Sequence, residues 1–128
     1  MPHITIECSK NVKDHVDVDK MLRCVHDAAI ETGVFPPDGI RSRAHILDHY
    51  RVAESGKNAF VHAVLRIGPG RDQETKRRVL DHVFGELTEF LQKMYDSQPL
   101  AISIELQELD ADLRRNKNNL KVAATAAR

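Results

Sequence analysis

The chain has no tryptophan, two tyrosines and four phenylalanines, so it offers six aromatic rings in all. That is little for stacking nucleobases. It also lacks net charge: 19 Lys and Arg balance 19 Asp and Glu, which removes the positive field on which general nucleic-acid binding rests. There are only two cysteines, Cys8 and Cys24. They permit one bridge at most, and a reducing, cytoplasmic compartment is the expectation. No apolar run approaches the roughly 20 residues that cross a bilayer. The opening MPHITIECSKN has no basic segment followed by an apolar stretch, so no secretory signal is read there. The seven histidines form no metal-ligand pattern. His45 and His49 are four apart on a predicted strand, where that spacing does not converge as it does on a helix. No nucleophile elbow, dinucleotide fingerprint or P-loop occurs.

What is present is a chain of 128 residues, 41% hydrophobic and 30% charged. This is the size of one domain, 1–128, able to bury a core without cross-links. Residues 2–8 alternate: Ile4, Ile6 and Cys8 point one way, His3, Thr5 and Glu7 the other, which predicts a half-buried strand. Ser9 to Lys13 is polar and reads as a loop. Asp17 suits a helix N-cap and Gly33 a stop, with Met21, Leu22, Val25, Ala28 and Ala29 at helical spacing between them. After a Phe35-Pro36-Pro37-Asp38-Gly39 turn, a long second strand is predicted from about Ile40 to Val52. A turn at Ser55–Asn58 leads into a third strand, about Ala59 to Ile67. Gly68-Pro69-Gly70-Arg71 breaks that strand, and Asp72 begins a second helix. Its stripe of Val79, Leu80, Val83, Phe84, Leu87, Phe90, Leu91 and Met94 is the clearest pattern in the chain. Pro99 ends the helix, and Leu100 to Leu106 alternates as a fourth strand.

The order is β-α-β twice, over 2–53 and 58–108, followed by a partly ordered tail, 109–128. Each unit implies a parallel strand pair with a right-handed crossover. Two layers follow, with helices on one face of a four-stranded sheet. The other face carries Ala and Leu among charges, so cover by another subunit is expected. Element order alone does not separate this from a ferredoxin-like arrangement.

Three groups of residues could carry chemistry. Once Met1 is removed, as is usual before proline, Pro2 exposes a secondary amine, both nucleophile and base, that titrates not far from neutrality. Nearby cations and burial favour its neutral form. An incidental second-position proline would leave the same trace. Arg41 and Arg43, on either side of Ser42, offer planar donor forks that suit carboxylates; a solvated cationic strand face reads identically. Gly68–Arg71 ahead of a helix suits an anion, or is an ordinary strand-to-helix turn.

Taken in order, several segments resemble one family. They are PHITIEC at the start, Gly33-Val34-Phe35-Pro36, Gly39-Ile40-Arg41-Ser42-Arg43, Phe60-Val61-His62, Ile67-Gly68-Pro69-Gly70-Arg71 and Lys117-Asn118-Asn119. The family is the 5-carboxymethyl-2-hydroxymuconate Δ-isomerases of the tautomerase superfamily, and the likeness runs from Pro2 to about Leu120. Pro37-Asp38 departs from the family pattern, as do residues 121–128. The resemblance implies an α+β, tautomerase-like fold of two β-α-β units with a mixed sheet, and a homotrimer with sheets facing inward. It implies isomerisation of a di- or tricarboxylate dienol in aromatic-compound catabolism, with no cofactor and no metal. By position it makes Pro2 the catalytic base and Arg41 and Arg71 the ligand-binding arginines, with Arg43 a further candidate. Two other readings compete: a tautomerase of another 2-hydroxydienoate or of an arylpyruvate enol, and a non-catalytic ferredoxin-like binding module. The module would show antiparallel strand order β4-β1-β3-β2. Neither nucleic acid nor membrane is an expected partner.

Overall fold

Strand β1 (His3–Ser9) lies at the centre because its even-numbered side chains are all apolar: Ile4, Ile6 and Cys8 are wholly buried. In this computed structural model, which describes residues 2–120, the chain continues through α1 (Val18–Glu31), β2 (Arg41–Leu47), β3 (Ala59–Ile67), α2 (Gln73–Ser97) and β4 (Leu100–Glu108). Short 3-10 turns occur at Lys10–Asp14, Pro37–Gly39 and Ala111–Leu113. The sheet order is β2-β1-β3-β4. β1 runs parallel to β2 and β3 parallel to β4, while β1 and β3 are antiparallel. This is the mixed sheet of two β-α-β units, and it is not the ferredoxin-like order.

Both helices start where a carboxylate side chain can accept from a free backbone N–H. Asp17 accepts from Lys20 N at 3.1 Å and Asp72 from Thr75 N at 2.8 Å, each cap being worth about 1 kcal/mol. Gly33, just past the end of α1, has φ of 71°, a left-handed conformation that glycine adopts without the usual steric cost. The helices cover one sheet face. Met21, Val25, Ala28 and Ala29 of α1 and Val79, Val83, Leu87, Leu91 and Met94 of α2 are buried there, against Ile4, Ile6, Val61, Ala63, Leu65 and Ile67. Complete burial of such a side chain contributes about 1.5–3 kcal/mol. Leu80, Phe84 and Phe90, on the flanks of the α2 stripe, are half-buried.

Two sequence expectations need correction. β2 ends at Leu47, not Val52. Among the described residues it is an edge strand paired to β1 alone, and the last register pair is Ser9 with Leu47; past Ser9 the partner turns away and the ladder ends. The segment read as a polar loop after β1 is a 3-10 turn with Val12 fully buried. Ser9 is itself buried: its hydroxyl donates to Asn11 Oδ1 (2.6 Å) and accepts from Phe60 N (3.0 Å). The start of the tail stays on the sheet. Leu109 N donates to Ile67 O at 2.8 Å, extending the β3–β4 ladder, and the chain then turns over Ala111–Leu113. The Ala-rich end, 121–128, lies outside the described residues.

Candidate active site at the start of β1

The topology decides what surrounds Pro2. Parallel pairing sets the start of β1 beside the start of β2, with His3 opposite Arg41. Antiparallel pairing sets the same start beside the end of β3, with His3 opposite Arg66. One step further along that register, Pro2 falls opposite Ile67. Pro2 is buried, and its carbonyl accepts a hydrogen bond from Arg41 N at 3.1 Å. The amino-terminal end of the chain is therefore flanked by the strand that begins with Arg41 and by the turn that leads from β3 to Arg71.

Both of these arginines are aimed by backbone carbonyls. Arg41 Nη1 donates to Gly39 O at 3.1 Å, and Arg71 Nη1 donates to Gly68 O at 3.2 Å. The Arg71 guanidinium also lies over the ring of Phe35, 5.0 Å from its centroid, and Phe35 is 4% exposed. A cation over an aromatic face gains about 0.5–2 kcal/mol and keeps its in-plane donors free. Among the described residues neither Arg41 nor Arg71 has a carboxylate within ion-pair reach. Two half-buried guanidiniums without counter-charges are chemically suited to carboxylates.

Arg43 shares with Arg41 the side of β2 that faces away from the helices, but its Nη1 is engaged, donating to His3 Nδ1 at 3.1 Å. Guanidinium can only donate, so His3 is a neutral ring accepting at Nδ1. Burial, then the Arg43 and Arg41 cations, hold the His3 pKa below its ordinary value. Arg43 shares a hollow of about 300 Å³ with Thr5, Glu7, His45, Val64 and Arg66 on that open face. A wider hollow, about 460 Å³, runs along α1 by Asp19, His26 and Ser42 and includes none of Pro2, Arg41 and Arg71.

Two residues of this region have no sequence signal of their own as site residues. Phe35 looks like a turn residue until Arg71 is seen over it. Arg114 looks like part of a charged tail, yet a Cβ placed on Gly68 would lie 2.7 Å from Arg114 Nη1. Glycine at position 68 is what lets that guanidinium settle against the backbone.

Other reactive groups lie elsewhere. Cys8 and Cys24 are unpaired thiols, and burial pushes both above their ordinary pKa, which makes them poor nucleophiles. Glu31, His82 and Glu86 bring three donor atoms within 4.8 Å of one another on the α1–α2 layer. There His82 Nε2 is already hydrogen-bonded to Glu31 Oε1 at 2.8 Å.

The family model described as 5-carboxymethyl-2-hydroxymuconate isomerase matches residues 2–123. The chain belongs to this family. It is an isomerase with the superfamily's fold. An Escherichia coli protein named 5-carboxymethyl-2-hydroxymuconate Delta-isomerase is 34% identical over 121 residues, covering 94% of this chain and 96% of that one. The crystal structure of a 5-carboxymethyl-2-hydroxymuconate isomerase from Deinococcus radiodurans R1 superposes with TM-score 0.86 at 31% identity, over 92% of this chain and 90% of that chain. A fused 4-OT described as a wild-type symmetric trimer shares the fold, with TM-score 0.67 at 16% identity over 92% of this chain and 94% of its own. Among the described residues no helix is long and apolar enough to cross a membrane.

Proposed function

We propose that this chain is a 5-carboxymethyl-2-hydroxymuconate Δ-isomerase in which Pro2 moves the proton and Arg41 and Arg71 hold the substrate. The observation that carries the reading is the lodging of Pro2 between the first residue of β2, Arg41, and the Gly68–Arg71 turn. With Met1 removed, Pro2 presents a secondary amine beside two cations. Like charge and burial favour its uncharged form at working pH.

The dienol's carboxylates pair with Arg41 and Arg71. The neutral amine of Pro2 accepts the proton of the enol hydroxyl, leaving a dienolate whose negative charge the guanidiniums offset. The protonated amine then returns the proton to a distant carbon, so the hydroxyl becomes a ketone and the double bonds shift. No atom is gained or lost. A placed base contributes about 10²–10⁴-fold, and each preorganised donor to the developing anion about 10²–10³-fold. Nothing in this scheme requires a cofactor.

A homotrimer supplies the rest of the enclosure. The fused 4-OT of the same fold is a symmetric trimer, and the open sheet face here mixes Leu47, Phe60 and Val64 with charged neighbours, a composition suited to contact with other copies. The two free thiols suit a cytoplasmic setting, and the tricarboxylate dienol places the enzyme in aromatic-compound catabolism. The deciding measurement follows ultraviolet absorbance of 5-carboxymethyl-2-hydroxymuconate in the presence of protein whose first residue is Pro2. Conversion to the unsaturated ketone is expected, and no acceleration over buffer overturns the assignment.

A further inference from the structure

Arg114 is the third guanidinium at the exit of β3. The path that brings it there is well defined. Leu109 N donates to Ile67 O at 2.8 Å, Asp112 N donates to Asp110 Oδ1 at 2.9 Å, and Leu113 N donates to Asp110 O at 3.0 Å. This closed turn sends the chain back, and Arg114 resumes an extended conformation with φ of −129°. Its guanidinium then occupies the space that any side chain at Gly68 would need. The carbonyl of that same Gly68 accepts from Arg71. One buried glycine thus has a guanidinium against its Cα and another on its carbonyl, one residue beyond the partner of Pro2. Among the described residues no carboxylate reaches ion-pair distance of Arg71 or Arg114. Two like charges held around one residue without a counter-ion repel each other, and a bound anion relieves that repulsion.

We propose that Arg114 is a specificity-determining substrate residue, pairing with the third carboxylate of a tricarboxylate dienol. The inference rests on the isomerase reading above and deepens it. A muconate skeleton carries two carboxylates, which Arg41 and Arg71 match one to one. A carboxymethyl substituent adds a third, and Arg114 is the cation seated against the same Gly68 that Arg71 engages. Its place in a tail segment lets it set substrate choice without taking part in proton transfer.

The test compares wild type, Arg114→Ala and Arg114→Lys, all starting at Pro2, on 5-carboxymethyl-2-hydroxymuconate and on 2-hydroxymuconate, which lacks the third carboxylate. Loss of one charge-assisted contact predicts that Arg114→Ala raises KM for the tricarboxylate by about 10- to 100-fold. kcat should hold, KM for the dicarboxylate should stay within about twofold, and Arg114→Lys should recover part of the loss. Equal losses on both substrates, or no loss on either, overturn the proposal. A calorimetric titration with the inert benzene-1,2,4-tricarboxylate and with benzene-1,3-dicarboxylate separates anion binding from turnover. Arg114-dependent preference for the tricarboxylate supports the anion site even in a protein that turns over neither dienol, an outcome that defeats only the isomerase reading. Absence of that preference defeats the Arg114 assignment whatever the turnover.

Discussion

The amide of Arg41 donates to the carbonyl of Pro2 across 3.1 Å. The residue carrying the candidate base and one carrying a candidate anion-binding group are thereby held by the same rung of the β1–β2 ladder. Whatever moves the start of β1 moves both.

The nitrogen of Pro2 must be a free amine to accept a proton. Protein that retains Met1, or whose Pro2 is acylated, should lose isomerisation by at least about 10²-fold, while its circular dichroism and urea midpoint stay unchanged. Intact mass gives the state of the terminus in each sample. Full turnover by protein whose mass includes Met1 removes the amine from the mechanism.

Arg41→Ala and Arg71→Ala should each lower kcat/KM by about 10²–10³-fold. For Arg71 the Phe35 ring adds a further check. Phe35→Leu keeps an apolar contact but removes the ring face, and should weaken substrate binding by a smaller factor, about twofold to fivefold, the range a partly exposed cation–π contact supports. Arg43→Ala should change activity little, because that guanidinium is engaged with His3. An effect as large as that of Arg41→Ala would return Arg43 to the site.

His3 gives a pH dependence of defined sign. Its folded pKa lies below the ordinary 6.5, first through burial and then through the Arg43 and Arg41 cations. The unfolded ring takes up its proton near pH 6.5, whereas the folded ring does so only at lower pH. The stability it contributes is therefore complete above about 6.5 and is lost as pH falls through the folded value. Urea midpoints of wild type should decline between pH 7 and 5 more steeply than those of His3→Asn; parallel declines would contradict this. The depressed carboxyls of Asp72 and Glu105 act at lower pH, below their ordinary 3.8 and 4.5, so the windows separate.

In the core, Leu87 is wholly buried on α2. Leu87→Ala should cost about 2–5 kcal/mol, read as a lower urea midpoint at an unchanged m-value. A cost below about 1 kcal/mol would mean that the layer between α2 and the sheet repacks freely.

Much of the fold is written in short-range pattern. Asp17 and Asp72 cap their helices as local chemistry requires, the α2 stripe faces the sheet, and β1 alternates because two of its neighbours are strands and one face meets helices. Misreadings arise where a distant partner decides the outcome. β2 stops at Leu47 because β1 ends, and no residue between 48 and 52 announces that. Val12 is buried in what reads as a polar loop because the turn that carries it packs against β3 and β2.

The candidate site divides along the same line. Pro2, Arg41 and Arg71 are identifiable from the order of their flanking motifs. Arg114 and the Phe35 platform are not, since each acquires meaning only through a residue dozens of positions away. By itself the sequence determined the element order, the helix ends and the apolar faces, which depend on spacing within a few turns of chain. Only the tertiary structure decided that strand order 2-1-3-4 sets the amino terminus between one strand's start and another's end, because pairing across tens of residues is governed by packing and backbone hydrogen bonds rather than by local preference.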